Sequence, residues 1–187
     1  FMNAKDLTFS DYSSYIVFIT GGTKSGKSEF AEHLAKELKN LSYVALSENN
    51  LDDKEWQDKI ILHRKRRPKD WKLIETTDLL NTLRKEEGPL LIDSIGGFVM
   101  KNIEKEQNEW STKMNSLISL LMKRKNIAII VGEQVGWSLV SEYKIGNTYI
   151  ERIGELQKRI TKISKDNWLT INGRAIKIDE ISIEIPT

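Results

Sequence analysis

The sequence contains no cysteine, only two histidines and no long hydrophobic run. Without cysteine, the chain has no disulfide bond, no thiolate nucleophile and no cysteine-ligated zinc or iron–sulfur centre. No apolar stretch approaches the roughly 20 residues that a membrane-spanning helix needs. The first 14 residues lack the apolar core of a secretory signal peptide. These absences lead us to expect a cytoplasmic protein without a membrane span.

An excess of charge of either sign is also lacking, because 29 Lys and Arg residues stand against 27 Asp and Glu residues. The formal net charge of +2 gives no reason to expect nucleic acid or a membrane surface as the main partner. A chain of 187 residues is long enough for one α/β core. Because internal repeats and Pro/Gly/Ser-rich linkers are absent, we predict a polar leader at 1–14 and a single domain at 15–187.

Short apolar runs alternate with amphipathic segments along the chain. The runs have the length and β-branched content of buried strands, and they lie at 15–20, 42–46, 90–93 and 127–131. The amphipathic segments predict helices at 27–39, 52–64, 77–87, 110–125 and 145–166. Within 168–178, two further β runs flank Asn172-Gly173, which is typical of a hairpin turn. The pattern predicts an α/β fold with a mainly parallel sheet, helices on both faces and a C-terminal antiparallel hairpin at the edge.

A glycine-rich segment follows the first predicted strand and matches the phosphate-loop pattern GxxxxGK[ST]. Backbone amides of such a loop curl around phosphate oxygens, and the helix N-terminus behind it favours anions. Lys27 would bridge the β- and γ-phosphates, and the hydroxyl of Ser28 would bind Mg²⁺. The predicted nucleotide-binding loop consists of Gly21, Gly22, Thr23, Lys24, Ser25, Gly26, Lys27 and Ser28.

Two carboxylates follow other predicted strands. Asp93 closes the strand Leu-Leu-Ile-Asp, and phosphate-loop proteins orient the metal with a carboxylate at the end of a neighbouring strand. We therefore interpret Asp93 as a second Mg²⁺ ligand, directly or through water, with a helix cap or strand-end turn as the alternative. Glu133, in the segment Glu-Gln-Val-Gly-Trp, is either a polar catalytic group or part of a strand-end turn.

His63 opens the densest positive cluster in the chain, His-Arg-Lys-Arg-Arg-Pro. Arginine forks bind phosphate oxygens in pairs, and neighbouring cations keep an imidazole neutral and nucleophilic. A neutral histidine beside a triphosphate can take up a phosphoryl or nucleotidyl group covalently. The residues alone also allow a solvated helix end with an incidental histidine. The other histidine, His33, lies within a predicted helix, where we expect a packed or solvated side chain.

Five segments together resemble one family: ITGGTKSGKS, YVAL followed by LDD, HRKRRPKDWKLIE, LLIDS and EQVGWSLV. The resemblance is to adenosylcobinamide kinase/adenosylcobinamide-phosphate guanylyltransferase, a bifunctional enzyme of cobalamin biosynthesis, and it runs from about Ile16 to Lys177. Many proteins share the phosphate loop, whereas the segment from His63 to Glu75 is far more specific. The resemblance implies a RecA-like phosphate-loop fold, a homo-oligomer, and Mg²⁺ with ATP and GTP as substrates.

The resemblance implies two reactions on one corrinoid. ATP or GTP phosphorylates the hydroxyl of the aminopropanol arm of adenosylcobinamide. GTP then guanylylates a histidine, which His63 matches, and the GMP passes to the cobinamide phosphate to give adenosylcobinamide-GDP. Glu75 would bind the guanine edge or the ribose, or orient the histidine, with an exposed strand-end carboxylate as the alternative. The family's nucleotide contacts outside the phosphate loop match Leu46, Ser47, Glu48, Arg64, Lys65, Arg66, Arg67, Glu75 and Asp93.

The later part of the sequence departs from the family pattern. A glycine and a proline of the family are replaced by Ser138 and Ser141. Both arginines of an Arg-x-Phe-Arg-Asp pattern are missing from the segment Asn147-Thr148-Tyr149-Ile150-Glu151. After Asp93, the family has a threonine and then an asparagine, where this chain has Gly96, Gly97 and Lys101, followed by Asn102. These departures leave two alternatives open: a small-molecule kinase without the guanylyl step, and a non-catalytic nucleotide-binding relic.

Overall fold

The computed structural model describes residues 15–46, 68, 70–137 and 141–186. In this part of the chain, seven strands form one sheet: β1 (Ile16–Gly21), β2 (Ser42–Ala45), β3 (Lys72–Glu75), β4 (Leu90–Asp93), β5 (Ala128–Glu133), β6 (Asp166–Ile171) and β7 (Arg174–Lys177). The helices described are α1 (Lys27–Ala35), α2 (Leu79–Lys85), α3 (Gly96–Lys101), α4 (Gln107–Met122) and α5 (Lys144–Ile163), and a 3₁₀ turn follows at Ile178–Glu180.

The strands lie in the order β3-β2-β4-β5-β1-β6-β7. Every neighbouring pair is parallel except β6 and β7, which are antiparallel. The α/β fold, its mainly parallel sheet and its antiparallel C-terminal edge are thereby confirmed. Since parallel strands point the same way, the segments that follow β1, β2, β4 and β5 emerge at one edge, where ligands bind in open α/β sheets.

The sheet is buried on both faces, so its central strands consist of nearly continuous apolar residues. Successive residues of β1 alternate between two core clusters. Phe18 faces the cluster that contains Trp110 and is built with α2, α3, α4 and α5, whereas Val17 faces the cluster that contains Leu34 of α1. The described helices therefore cover both faces of the sheet. No helix in the described ranges is long and apolar enough to cross a membrane.

Two short elements, β3 and α3, are not among the strand and helix ranges predicted from the sequence, which include a strand end at Glu75 only as an alternative. Lys72 and Glu75 of β3 are exposed at the end of the sheet, so the segment lacks the apolar pattern of a buried strand. The helix α3 begins with Gly96 and Gly97, and glycine disfavours a helix by about 1 kcal/mol relative to alanine. In both cases, tertiary packing rather than local preference determines the conformation.

The C-terminal hairpin around Asn172-Gly173 forms as predicted, with β6 and β7 antiparallel, and β6 in addition pairs parallel with β1. The helices differ from the prediction at their ends: α1 stops at Ala35 rather than residue 39, and α5 stops at Ile163 so that β6 can begin at Asp166. The leader at 1–14 and the helix predicted at 52–64 lie outside the described residues.

Candidate functional site

The predicted phosphate loop connects the end of β1 to the start of α1. Lys24 and Gly26 have positive φ angles of 56° and 95°, which turn the chain sharply before the helix. The amide of Ser25 donates to the carbonyl of Gly22 at 3.3 Å. No side chain caps the N-terminus of α1, so its first amides remain available to an anion. The loop therefore has the form that a phosphate group requires.

The β6–β7 hairpin supports the phosphate loop from one side. The hydroxyls of Ser25 and Thr170 are 2.7 Å apart and share a hydrogen bond. The amide of Gly173, in the hairpin turn, donates to the carbonyl of Ser25 at 3.0 Å. A side chain at Gly21 would overlap the hydroxyl of Thr170. The sequence pattern gave no signal for this support, because the two segments are about 145 residues apart.

Lys27 is held inside the loop. Its Nζ donates to the carbonyl of Gly22 at 3.0 Å, which places the ammonium group over the turn that phosphates would occupy. Ser28, the next residue of α1, lies in the first turn of the same helix. These positions suit the roles of a phosphate-binding lysine and a Mg²⁺-binding hydroxyl.

Asp93 is the last residue of β4, and β5 lies between β4 and β1 in the sheet. Tyr43 Oη donates to Asp93 Oδ2 at 2.6 Å, so this hydrogen bond leaves Asp93 Oδ1 for a water molecule or a cation. Within the described ranges, no group of three His, Cys, Asp or Glu side chains could hold a metal ion. Nucleotide-bound Mg²⁺ generally takes one or two protein oxygens together with phosphates and water, and Ser28 and Asp93 fit that requirement.

Glu133 ends β5, the strand between β4 and β1. Ser94 Oγ donates to Glu133 Oε1, whereas Oε2 is buried and accepts no hydrogen bond within the described part of the chain. Burial raises the pKa of Glu133 to about 7; the positive charge of Lys27 lowers this pKa and the negative charge of Asp93 raises it. At this edge of the sheet, the charges of an amine, Lys27, and of a second carboxylate, Asp93, both act on Glu133.

Two segments that depart from the family pattern lie next to Glu133, one with Gly96 and the other with Tyr149. A Cβ at Gly96 would lie 2.7 and 2.9 Å from the two carboxylate oxygens of Glu133 and would overlap Tyr149 Oη. Burial raises the pKa of Tyr149, and the negative charge of Glu133 raises it further. A Cβ at Gly97 would overlap the backbone carbonyl of Leu46. The two glycines therefore let α3 approach both the end of β5 and the end of β2.

The other predicted site residues divide into two groups. Leu46 directly follows β2, and Glu75 is the last residue of β3. Both lie at the same edge of the sheet as the phosphate loop. Glu75 is four strands from β1, roughly 19 Å at the usual strand spacing, so its backbone lies far from the phosphate loop. The remaining predicted residues are outside the described ranges: Ser47, Glu48, His63, Arg64, Lys65, Arg66 and Arg67.

A parallel sheet with a phosphate loop after β1 and carboxylates after β4 and β5 defines the class of P-loop nucleotide-binding proteins. A sequence model of the family described as cobinamide kinase / cobinamide phosphate guanyltransferase matches residues 17–178. The chain belongs to this family.

Curated relatives agree with the family match. The chain is 25% identical over 181 residues to the bifunctional adenosylcobalamin biosynthesis protein CobU of Escherichia coli, covering 87% of this chain and 99% of the relative. It is 28% identical over 161 residues to the bifunctional adenosylcobalamin biosynthesis protein CobP of Pseudomonas aeruginosa, covering 83% of this chain and 92% of the relative. The chain thus spans nearly the whole length of both relatives.

Solved structures that resemble the chain show its fold alone. An ATPase from a bacterial type III secretion system has a TM-score of 0.55 at 12% identity, over 84% of this chain and 51% of that one. The protein PH0250 of Pyrococcus horikoshii has a TM-score of 0.56 at 8% identity, over 100% of this chain and 98% of that one. At such low identity, the similarity carries no statement about substrate.

Proposed function

We propose that the protein phosphorylates adenosylcobinamide with ATP or GTP and then transfers GMP from GTP to adenosylcobinamide phosphate. The observation that carries the proposal is the phosphate loop, which holds Lys27 and is supported by the β6–β7 hairpin. Asp93 and Glu133 end neighbouring strands at the same edge of the sheet. We infer the corrinoid substrate from the family to which the chain belongs. We also expect the protein to act as a cytoplasmic homo-oligomer.

The phosphate loop would hold the nucleotide for the kinase reaction. The amides at the start of α1 and the ammonium of Lys27 would bind the β- and γ-phosphates, where negative charge develops during transfer. Ser28 and Asp93 would bind Mg²⁺, which neutralises phosphate charge when it is present. The hairpin contact through Thr170 fixes Ser25 and so keeps these donors in place.

His63 is the proposed nucleophile of the guanylyl reaction. Its imidazole nitrogen would attack the α-phosphorus of GTP, forming a P–N bond and releasing pyrophosphate with the electron pair of the broken P–O bond. A phosphate oxygen of adenosylcobinamide phosphate would then attack the same phosphorus, and the imidazole would leave. The residues that we propose to bind the nucleotide around this step are Leu46, Ser47, Glu48, Arg64, Lys65, Arg66, Arg67 and Glu75.

Covalent labelling tests the guanylyl step. The purified protein is incubated with Mg²⁺ and GTP labelled at the α-phosphate, quenched in denaturant and examined for acid-labile label on the chain. Because the chain has only two histidines, His33→Ala is a matched control for His63→Ala. We expect label on the native protein and on His33→Ala, and none on His63→Ala.

Product analysis with adenosylcobinamide completes the test. Formation of the phosphate and then the GDP derivative supports both reactions. Phosphorylation without a protein adduct would reduce the proposal to a small-molecule kinase. GTP binding with neither adduct nor product would contradict the proposal and leave a nucleotide-binding relic of the family.

A further inference from the structure

The backbone of Glu133 is fixed beside the start of the phosphate loop. Its Cα pairs with that of Gly21 in the β1–β5 register. The next residue, Gln134, donates its amide to the carbonyl of Gly21 at 2.9 Å, and Gln157 Nε2 donates to the carbonyl of Glu133 at 2.7 Å. These bonds prevent the end of β5 from moving away from the nucleotide loop.

The two carboxylate oxygens of Glu133 differ in their partners. Ser94 donates to Oε1, and the backbone amides of Gly96 and Glu133 lower the pKa of the carboxyl group through hydrogen bonds. Oε2 is buried and has no donor within the described ranges. Leaving a buried carboxylate oxygen without a hydrogen bond is costly. A substrate hydroxyl that donates to Oε2 would offset that cost.

The surroundings of Glu133 leave room for the carboxylate and supply charges from three elements. Gly96 of α3 lacks the Cβ that would overlap the carboxylate. The charged or titratable groups that face it are Lys27 from α1, Asp93 from β4 and Tyr149 from α5. Lys27 also belongs to the phosphate loop, so its ammonium group would act both on this carboxylate and on a bound triphosphate.

We propose that Glu133 is the catalytic base of the kinase reaction, and this inference rests on the function proposed above. The hydroxyl of the acceptor donates to Glu133 Oε2 while its oxygen attacks the γ-phosphorus. The new P–O bond forms, the bond from the γ-phosphorus to the bridging oxygen breaks, and the nucleoside diphosphate leaves with that electron pair. The hydroxyl proton passes to Oε2 and is later released to solvent.

The acid–base property of Glu133 suits this role. Burial and the nearby negative charge of Asp93 raise its pKa, the positive charge of Lys27 lowers it, and the result is about 7. A general base is most effective when its pKa lies near the working pH. The guanylyl step, by contrast, begins with attack by a neutral imidazole and needs no hydroxyl to be deprotonated.

The variant Glu133→Gln separates the two reactions. Glutamine retains the size of the side chain and an oxygen that can accept from Ser94. We expect the kcat of phosphorylation to fall by about 100-fold or more, as is typical when a general base is lost. Formation of the GTP-derived adduct should fall far less than phosphorylation, and the adduct also shows that the variant is folded. Glu142→Gln, which removes an exposed acid nine residues away, is the matched control.

The pH profile gives a second readout. For the native protein, kcat/KM of phosphorylation should fall tenfold for each pH unit below about 7, and this dependence should disappear in Glu133→Gln. Phosphorylation by Glu133→Gln at the native rate would overturn the proposal, and so would an equal loss of both reactions. A native protein that forms neither adduct nor phosphorylated product would overturn the proposed function as well, which distinguishes the two failures.

Discussion

Glu133 illustrates how a buried acidic side chain lowers the stability of the fold. Its carboxylate is buried, and its pKa is raised to about 7 from an ordinary 4.5. Below pH 4.5, the folded and unfolded states both carry the proton. Between pH 4.5 and 7, the unfolded state releases the proton while the folded state retains it, so the free energy of unfolding decreases as the pH rises.

Replacing this acid should therefore stabilise the protein most at high pH. At roughly 1.4 kcal/mol per pKa unit, the cost of ionised Glu133 reaches up to about 3 kcal/mol above pH 7. We expect the stability gain of Glu133→Gln over the native protein to be about 2 kcal/mol larger at pH 8 than at pH 5. Urea unfolding at both pH values measures it, with Glu142→Gln as the control. A gain that does not depend on pH would show that Glu133 is ionised throughout.

The helix α3 begins with two glycines, although glycine is unfavourable within a helix. Gly96 makes room for the carboxylate of Glu133, and Gly97 makes room for the backbone of Leu46. The side chains near Gly96 can rotate away, whereas the carbonyl of Leu46 cannot move without shifting the end of β2. An added methyl group is therefore expected to lower the stability of the protein more at Gly97 than at Gly96.

The variant Gly97→Ala should lose about 1–3 kcal/mol of unfolding free energy through overpacking. Gly154→Ala is its matched control, because Gly154 lies exposed in α5 with no atom within 4 Å of an added Cβ. Alanine there should gain up to about 1 kcal/mol from helix propensity alone. Urea unfolding curves of both variants make the comparison. If Gly97→Ala is as stable as the native protein, α3 can shift away from β2 and the prediction is wrong.

Across the whole molecule, the nucleotide site is assembled from distant parts of the sequence. The phosphate loop follows β1, the carboxylates follow β4 and β5, and the supporting hairpin is formed by β6 and β7. A ligand that binds this edge therefore links segments that would otherwise separate on unfolding. Binding should raise the stability of the entire sheet rather than that of one loop.

Thermal unfolding measures this coupling. At Mg²⁺–GTP concentrations near 100 times Kd, linkage contributes about 2.7 kcal/mol, which corresponds to a rise in Tm of about 5–10 °C for a domain of this size. The same addition should leave the Tm of Lys27→Ala nearly unchanged. Lys36→Ala, at the exposed end of α1, is the control and should behave like the native protein. A similar rise in Lys27→Ala would place the nucleotide elsewhere.

The sequence by itself determined the phosphate loop and the strand that precedes it, because glycine spacing, a lysine and an apolar run are local features. It also predicted the α/β class and the family, since both depend on segments that keep their order along the chain. Asp93 was proposed as a metal ligand in the same way, from its place at the end of an apolar run.

Only the tertiary structure decided how these parts combine. It determined that the charges of Lys27 and Asp93 act on Glu133, because charge and burial depend on neighbouring strands rather than on neighbours in sequence. It paired β6 parallel to β1 and placed Thr170 against Ser25. It also showed why glycines occupy positions 96 and 97, since the atoms that exclude a side chain there come from β2, β5 and α5, and no local pattern records such contacts.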